Sequence, residues 1–166
     1  MKETRERKKG KSLFSLSTLL ASFFGAAMIA GAFAYFNYKF SEYKFINFNE
    51  WFFYEKNDLF IPQQDKYLVV FYSSKQRNSV EALKNLKTEL PVLAIDYYNT
   101  LDENTKHITF IKAGTTTSIQ FIQRFNIYEI PSIFFIKKQK DSLYKQDSMI
   151  HKLNNLEDIS KEITRL

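Results

Sequence analysis

The chain has 166 residues, which suffices for one domain of ordinary size and an additional helix but not for two independent cores. Its net charge is +6, but residues 1–12 carry six basic against two acidic side chains, so the excess lies at one end rather than along a nucleic-acid-binding face. Cysteine is absent, which excludes disulfides, thiolate nucleophiles, iron–sulfur clusters and cysteine-ligated zinc.

An uncharged run from Leu13 to Phe36 follows the basic segment 1–12. As a helix it would measure about 36 Å, enough to cross a hydrocarbon core of about 30 Å, so it predicts one transmembrane helix. Since positive residues stay on the cytoplasmic side, we expect a bacterial inner-membrane protein with a cytoplasmic N-terminus and a periplasmic C-terminal domain. The alternative is a cleaved signal peptide ending near Ala34, although the run exceeds the usual length of about 7–15 residues.

Small residues recur every fourth position within this run, at Ser22, Ala26 and Ala30. Small side chains allow two membrane helices to approach closely, so the stripe is a candidate helix-packing face. The alternative is that these residue types are simply common in such helices.

Residues 37–65 form a juxtamembrane extension dense in aromatic side chains. Its large aromatic residues between Ser41 and Gln64 include Phe45, Phe48, Trp51, Phe52, Phe53, Tyr54 and Phe60. A disordered linker would not contain so many of them, so we expect the extension to pack on the following domain, residues 66–166.

The domain is predicted to begin with a β-α-β unit. Lys66–Tyr72 and Val92–Asp96 are continuous apolar runs, typical of strands buried on both faces. Between them Asn78 and Glu81 predict the capped start of a helix that stops at Pro91. Its apolar stripe comprises Val80, Leu83, Leu86 and Leu90. The two strands are therefore expected to be parallel, with a right-handed crossover.

A second helix and a hairpin are predicted further along. After a polar stretch, His107–Ile111 is a candidate short strand, and Thr117 with Gln120 predicts the cap of a helix. That helix would bury one face, made of Ile119, Ile122 and Phe125.

The C-terminal part is predicted to contain a strand at Ile133–Ile136, a hairpin partner at Ser142–Gln146 and a final helix. The apolar residues of the final helix are Leu153, Leu156, Ile159, Ile163 and Leu166. The whole order predicts an α/β fold with helices on both faces of a mixed sheet, preceded by one transmembrane helix.

Two segments, Phe125–Ile136 and Val70–Ser74, resemble parts of the thioredoxin superfamily. Phe125–Ile136 looks like the family segment in which a helix ends, a cis-proline follows an apolar residue, and Ser or Thr opens a strand. Val70–Ser74 looks like the strand that leads into the active-site loop. The resemblance covers Lys66–Leu166, with an insertion near Tyr97–Gly114, and implies a thioredoxin-like mixed sheet flanked by helices.

The chain departs from the family where that family has Cys-x-x-Cys. The corresponding degenerate loop comprises Ser74, Gln76, Arg77, Asn78 and Ser79. Thiol–disulfide exchange requires a thiolate, so this activity is excluded.

The resemblance still implies a peptide-binding loop at Ile130, Pro131 and Ser132. Its backbone would pair with an extended client segment, a contact that needs no side-chain chemistry. Alternatively, the proline only shapes the turn before the strand.

Other chemistry receives little support from the sequence. His107 and His151 are the only histidines and lack metal-ligand spacing, so we expect no metal and no cofactor. Ser73, Ser74, Asp96 and His107 could form a hydrolase set, but the Gly-x-Ser-x-Gly elbow is missing. We therefore expect a protein that is not an enzyme.

These observations favour a redox-inactive, membrane-anchored thioredoxin-like protein that acts as a chaperone, stabiliser or assembly factor. Its partner would be a membrane protein of the same bilayer, belonging to a flagellar stator, a secretion apparatus or a respiratory complex, and not a nucleic acid. The alternative is a thiol-independent accessory protein of cytochrome c maturation, or a periplasmic enzyme.

Overall fold

The computed structural model describes residues 15–42 and 44–163, without the side chains of residues 39–42. The basic segment 1–12, the start of the predicted membrane run at Leu13 and the terminal Leu166 lie outside the described residues. The chain divides after Ser41 into two compact units, an N-terminal helix and a sheet-containing unit.

The N-terminal unit is helix α1, Leu16–Glu42. Its stretch Leu16–Tyr38 is long and apolar enough to cross a membrane, and its large apolar side chains are exposed. A helix that is apolar on all sides needs an apolar surrounding, either a protein core or a bilayer. Length and composition therefore agree with the predicted membrane helix.

The second unit contains nine strands and three helices within the described range. The strands are β1 Phe45–Asn47, β2 Phe53–Glu55, β3 Asp58–Leu59, β4 Lys66–Tyr72, β5 Val92–Asp96, β6 Ile108–Ala113, β7 Ser132–Lys140, β8 Leu143–Gln146 and β9 His151–Lys152. The helices are α2 Ser79–Lys84, α3 Thr115–Phe125 and α4 Ile159–Ile163, the last preceded by a 3₁₀ turn at Leu156–Asp158.

The strands form one mixed sheet in the order β1-β8-β7-β4-β5-β6-β2-β3, with β9 beside the start of β7. The pairs β4–β5 and β5–β6 are parallel, whereas β4–β7 and β7–β8 are antiparallel. Tyr67–Tyr72 is buried on both faces because β4 lies between two long neighbours and helices cover the sheet. The predicted α/β architecture with a mixed sheet is confirmed at this level.

Apolar clusters lie on both faces of the sheet. Phe121 and Phe125 of α3 pack on one face together with the aromatic residues of the extension. Leu83 of α2 and Ile159 of α4 pack on the other face. Burying one such side chain contributes about 1.5–3 kcal/mol, so the two layers hold the helices against the sheet.

The aromatic extension is part of the sheet. Strand β1 pairs with β8 at one end, and β2 pairs with β6 near the other. Phe48 lies between them, with ring centroids 5.8 Å from Phe53, 5.6 Å from Phe60 and 5.4 Å from Tyr144. The strands β1, β2 and β3 have only two or three residues, too few to give a periodic pattern in the sequence.

Helix α2 is shorter than predicted. It ends at Lys84 rather than before Pro91, and Asn78 has φ 58° and forms no side-chain cap. The predicted capping pair of Asn78 and Glu81 is therefore wrong. Leu86 and Leu90 still pack against the core from an irregular segment, so burial does not require the helix to continue.

The other two helices also differ from their predicted limits. Helix α3 begins at Thr115 after Gly114, so Thr117 lies inside it and does not cap it. Its buried face is Phe121 and Phe125, and Ile119 is exposed. The final helix begins only at Ile159, although the preceding apolar residues Leu153 and Leu156 are buried as expected.

Candidate functional site

Two loops meet at the carboxyl end of β4. Strand β4 continues into residues 73–78, and antiparallel pairing places Phe71 opposite Ser132 at the start of β7. The loop that precedes β7 therefore lies beside the loop that follows β4. The Ile130–Pro131 peptide bond in this second loop is cis. The sequence-predicted loops are thus neighbours.

Asp96 fixes the loop after β4. Its side chain is only 1 % exposed, and Oδ1 accepts a hydrogen bond of 2.8 Å from the Ser74 amide. Oδ2 accepts bonds of 2.8 Å from Ser74 Oγ and 2.9 Å from the Thr100 amide. Hydrogen bonds to a carboxylate are stronger than neutral ones. Asp96 therefore holds the start of the loop against the segment that follows β5.

The remaining residues of the degenerate loop carry no reactive arrangement. Arg77 and Asn78 are exposed and Gln76 is half-buried. Ser79 is buried, and its hydroxyl has no hydrogen-bond partner among the described residues. Gln76–Ser79 line a depression of about 210 Å³ together with Asn155, Leu156 and Glu157. A hydroxyl without an adjacent base is not an activated nucleophile.

The hydrolase set considered from the sequence is not assembled. Ser73 and Ser74 follow the carboxyl end of β4, near Asp96. His107 precedes Ile108, which pairs with Val92 at the opposite end of β5. The length of β5, about 13 Å, separates the histidine from the serines. The arrangement therefore does not support hydrolysis.

Tyr72, the last residue of β4, is not a base at neutral pH. Burial, with smaller contributions from the charges of Asp96 and Asp102, raises the pKa of its phenol above the ordinary range. The hydrogen bond from Lys84, at 2.6 Å, is the main cause that lowers the pKa of Asp102. These two groups therefore keep fixed protonation states near neutral pH.

The backbone of the cis-proline loop is largely occupied. Pro131 O accepts a hydrogen bond of 2.9 Å from the Leu153 amide. Ser132 pairs with Phe71 on one side and with Lys152 of β9 on the other. Of the three positions assigned from the sequence, only Ile130 forms no hydrogen bond within the described residues. A client strand could pair with all three positions only if β9 separated from β7.

Exposed tyrosines surround the same end of β4, and the sequence did not single them out. Tyr97 and Tyr98 follow β5 and are 46 % and 47 % exposed, with their rings edge to face at 5.1 Å. Tyr97 also contacts the buried Phe71 ring at 6.4 Å, and Lys75 Nζ lies 3.9 Å from the Tyr98 ring centre. Tyr128, just before the cis-proline loop, is 87 % exposed. Large apolar groups exposed together are typical of interaction sites.

The membrane-helix candidates remain a sequence pattern. Ser22, Ala26 and Ala30 are exposed in α1, and spacing by four places them on one face. Ser22 Oγ donates a hydrogen bond of 2.9 Å to Thr18 O within the same helix. The stripe therefore presents small, internally satisfied groups.

Metal binding has no visible basis in the described part of the chain, where no group of three His, Asp or Glu side chains is arranged to hold an ion. No protein-family model matches the chain, and no curated protein matches its sequence at a significant level.

Proposed function

We propose that this chain is a redox-inactive, membrane-anchored protein of thioredoxin-like type that binds a membrane-protein client and promotes its stability or assembly. The observation that carries the proposal is the surface at the carboxyl end of β4. We call it the client surface and define it by Lys75, Tyr97, Tyr98, Tyr128 and Ile130. It combines exposed aromatic rings with a rigid, cysteine-free support.

The order of elements supports the thioredoxin-like assignment. The parallel β4-α2-β5 unit, the antiparallel β7 beside β4 and the β7–β8 hairpin follow the arrangement that the resemblance implies. The chain departs from this arrangement at β6, the next strand after β5 in the sequence, which pairs with β5 in parallel. This strand and the loop before it occupy the insertion expected near Tyr97–Gly114.

The chemistry of the client surface supports binding rather than catalysis. Tyrosine is enriched at the centres of interfaces because it buries a large ring and retains a polar tip. The Tyr97 and Tyr98 rings hold each other edge to face, so little side-chain freedom is lost when a client covers them. The bonds of Asp96 to Ser74 and Thr100 fix the adjoining loops beforehand.

The apolar helix α1 supports a client within the same bilayer. A protein confined to a membrane meets other membrane proteins at a raised effective concentration, so a modest contact surface suffices. The Ser22, Ala26 and Ala30 stripe would add a contact inside the bilayer. The client complex is one of the envelope assemblies, such as a stator, a secretion apparatus or a respiratory complex.

Site-specific photocrosslinking tests the proposal. A photoreactive phenylalanine analogue at position 98 or 128 of the full chain is expected to capture one membrane protein, whose abundance falls when this protein is deleted. The matched control is position 54, where Tyr54 is also exposed but lies on β2. Equal capture at position 54, or an unchanged abundance of the captured protein after deletion, contradicts the proposed function.

A second variant separates the anchor from the client surface. Replacing α1 by an unrelated spanning helix should retain crosslinking at position 128 if the helix is only a tether. Loss of capture in this variant, together with loss after Ala26→Leu/Ala30→Leu, would assign part of the client contact to the small-residue stripe.

A further inference from the structure

Three lysines stand side by side across the sheet. Cross-strand pairing places Lys66 opposite Lys137, and Lys137 opposite Lys145. Lys145 is in turn opposite Phe45 of β1, the first strand after helix α1. Directly opposed residues project from the same face of a sheet, so Lys66, Lys137 and Lys145 form one row, which we call the lysine row.

The lysine row is an unfavourable arrangement for an isolated sheet. Like charges on directly opposed residues destabilise strand pairing. Lysine often protects edge strands against aggregation, but β7 is an inner strand between β4 and β8, so edge protection does not explain Lys137. A binding partner that supplies negative charge would offset the repulsion.

Few acidic groups neutralise the row. Lys66 pairs with Asp147 at 3.0 Å and lies 4.1 Å from the Phe135 ring centre. Lys137 and Lys145 are exposed and form no ion pair with any described residue. Lys145 Nζ is 5.7 Å from the Phe45 ring centre. The charged residues of the strands that carry the row and of their adjoining turns are Lys44, Lys66, Lys137, Lys138, Lys140, Lys145, Asp65, Asp141 and Asp147. Of these, Lys138 is opposite the buried Tyr144 and projects from the other face.

The positive charge is local to this end of the unit. The six lysines and three aspartates around the row give a charge of +3. The described residues as a whole carry 17 basic and 16 acidic side chains, a net charge of only +1. The remainder of the described chain is therefore slightly negative, and this end of the unit is distinct in charge.

The row is also close in sequence to the apolar helix. Helix α1 ends at Glu42, and Phe45 begins the strand that completes the row three residues later. Three residues span at most about 11 Å. If α1 crosses a bilayer, the covalent connection holds this corner of the sheet within reach of the lipid headgroups.

We propose that the lysine row binds the phosphate groups of anionic phospholipids in the bilayer that holds α1. The inference rests on the anchoring part of the proposed function and not on the client surface. A lysine near an anionic membrane surface is attracted to it electrostatically, and salt weakens this attraction. The contact would fix one corner of the unit to the membrane and leave the opposite end of β4 for the client.

Amine labelling of the full chain in lipid nanodiscs tests the inference. Discs of phosphatidylcholine alone are compared with discs that also contain phosphatidylglycerol, and acetylation of each lysine is followed by mass spectrometry. Lys137 and Lys145 are expected to react about fivefold more slowly in the anionic discs at low salt. Lys75 follows the other end of β4, about 20 Å along the strand from Lys66, and its rate should not change.

A matched pair of variants adds a second readout. Energy transfer from Trp51, the single tryptophan, to a dansyl-labelled lipid headgroup is expected to rise in anionic discs for the wild type. Lys137→Gln/Lys145→Gln should abolish this rise, whereas Lys87→Gln/Lys161→Gln removes the same charge elsewhere and should leave it intact.

Three results overturn the inference. The first is equal protection of Lys137 and Lys145 in the two kinds of disc, and the second is an equal loss of energy transfer in both variants. The third is specific displacement by phosphate, in which added inorganic phosphate removes the protection more efficiently than sodium chloride of equal ionic strength. Equal effects of the two salts leave the lipid assignment intact. Retention of the chain in the discs after carbonate washing reports the anchor separately, and client crosslinking reports the proposed function separately.

Discussion

Replacing Asp96 by asparagine tests whether one buried carboxylate organises the client surface. The substitution keeps the side chain's shape and leaves one acceptor oxygen. In either orientation the new amide NH₂ faces a backbone N–H, that of Ser74 or that of Thr100, because both Asp96 oxygens accept from main-chain donors. At least one of these part-buried main-chain donors then loses its protein partner.

The magnitude follows from the bonds that are lost. A hydrogen bond to a charged group contributes about 1.5–3 kcal/mol, and an unsatisfied buried donor costs a further 1–3 kcal/mol, roughly. We therefore expect Asp96→Asn to lower the free energy of unfolding by about 2–4 kcal/mol. The control is Asp58→Asn on β3, where the exposed side chain bonds to no described residue and the change should stay within about 0.5 kcal/mol.

Urea unfolding of the full chain in mild detergent, followed by Trp51 fluorescence, measures both free energies. Hydrogen exchange at the Ser74 and Thr100 amides locates the effect, since these amides should exchange faster in Asp96→Asn than in the wild type. Equal stability of Asp96→Asn and Asp58→Asn would refute the reasoning, as would unchanged exchange at both amides.

Three further substitutions probe the rest of the unit. Phe48→Ala should lower the free energy of unfolding in urea by about 3–5 kcal/mol. Phe52→Ala, at an exposed neighbouring position, should lower it by less than about 1 kcal/mol. Similar losses in the two variants would contradict the packing described for the extension. Burial is the main cause that raises the pKa of Tyr144 to about 12. The folded state therefore holds the phenolic proton more tightly than the unfolded state, in which the pKa of tyrosine is about 10. The stability that this difference contributes should be fully present below about pH 10 and should be lost between about pH 10 and 12. The melting temperature should fall less with rising pH for Tyr144→Phe than for the wild type. An identical fall in the two proteins would contradict the role assigned to Tyr144. Ser79→Ala removes a buried hydroxyl that has no hydrogen-bond partner among the described residues, so it should be neutral or stabilising in thermal unfolding. A loss above about 1 kcal/mol would show that the hydroxyl is bonded.

The central part of the fold is predictable from the sequence because burial on both faces leaves a strong signal. Strands β4 and β5 appear as continuous apolar runs, and their parallel pairing follows from the helix between them. The hairpin of β7 and β8 is likewise confirmed, although β7 extends to Lys140. The short strands β1, β2 and β3 escaped prediction because two or three residues are too few to show an alternating pattern.

The candidate site is only partly predictable, since its contacts join distant segments. Ser74 and Asp96 are 22 residues apart, and nothing in either neighbourhood indicates that they bond. The pair Tyr97 and Tyr98 directly follows a buried strand, which is the one local signal that could have marked it as a surface feature at a strand end. The pairing of Ser132 with β9 depends on the path of the last 20 residues, which helix and strand propensities do not determine.

The pairing of β1 with β8 has a consequence for biosynthesis. Phe45–Asn47 leave the ribosome about a hundred residues before Leu143–Lys145, yet each trio needs the other to satisfy its main-chain hydrogen bonds. At one end of the sheet, the edge therefore cannot close until the chain has been made as far as Lys145. Until then Phe45–Asn47 have no partner strand, and termination of translation before Leu143 would leave that edge open.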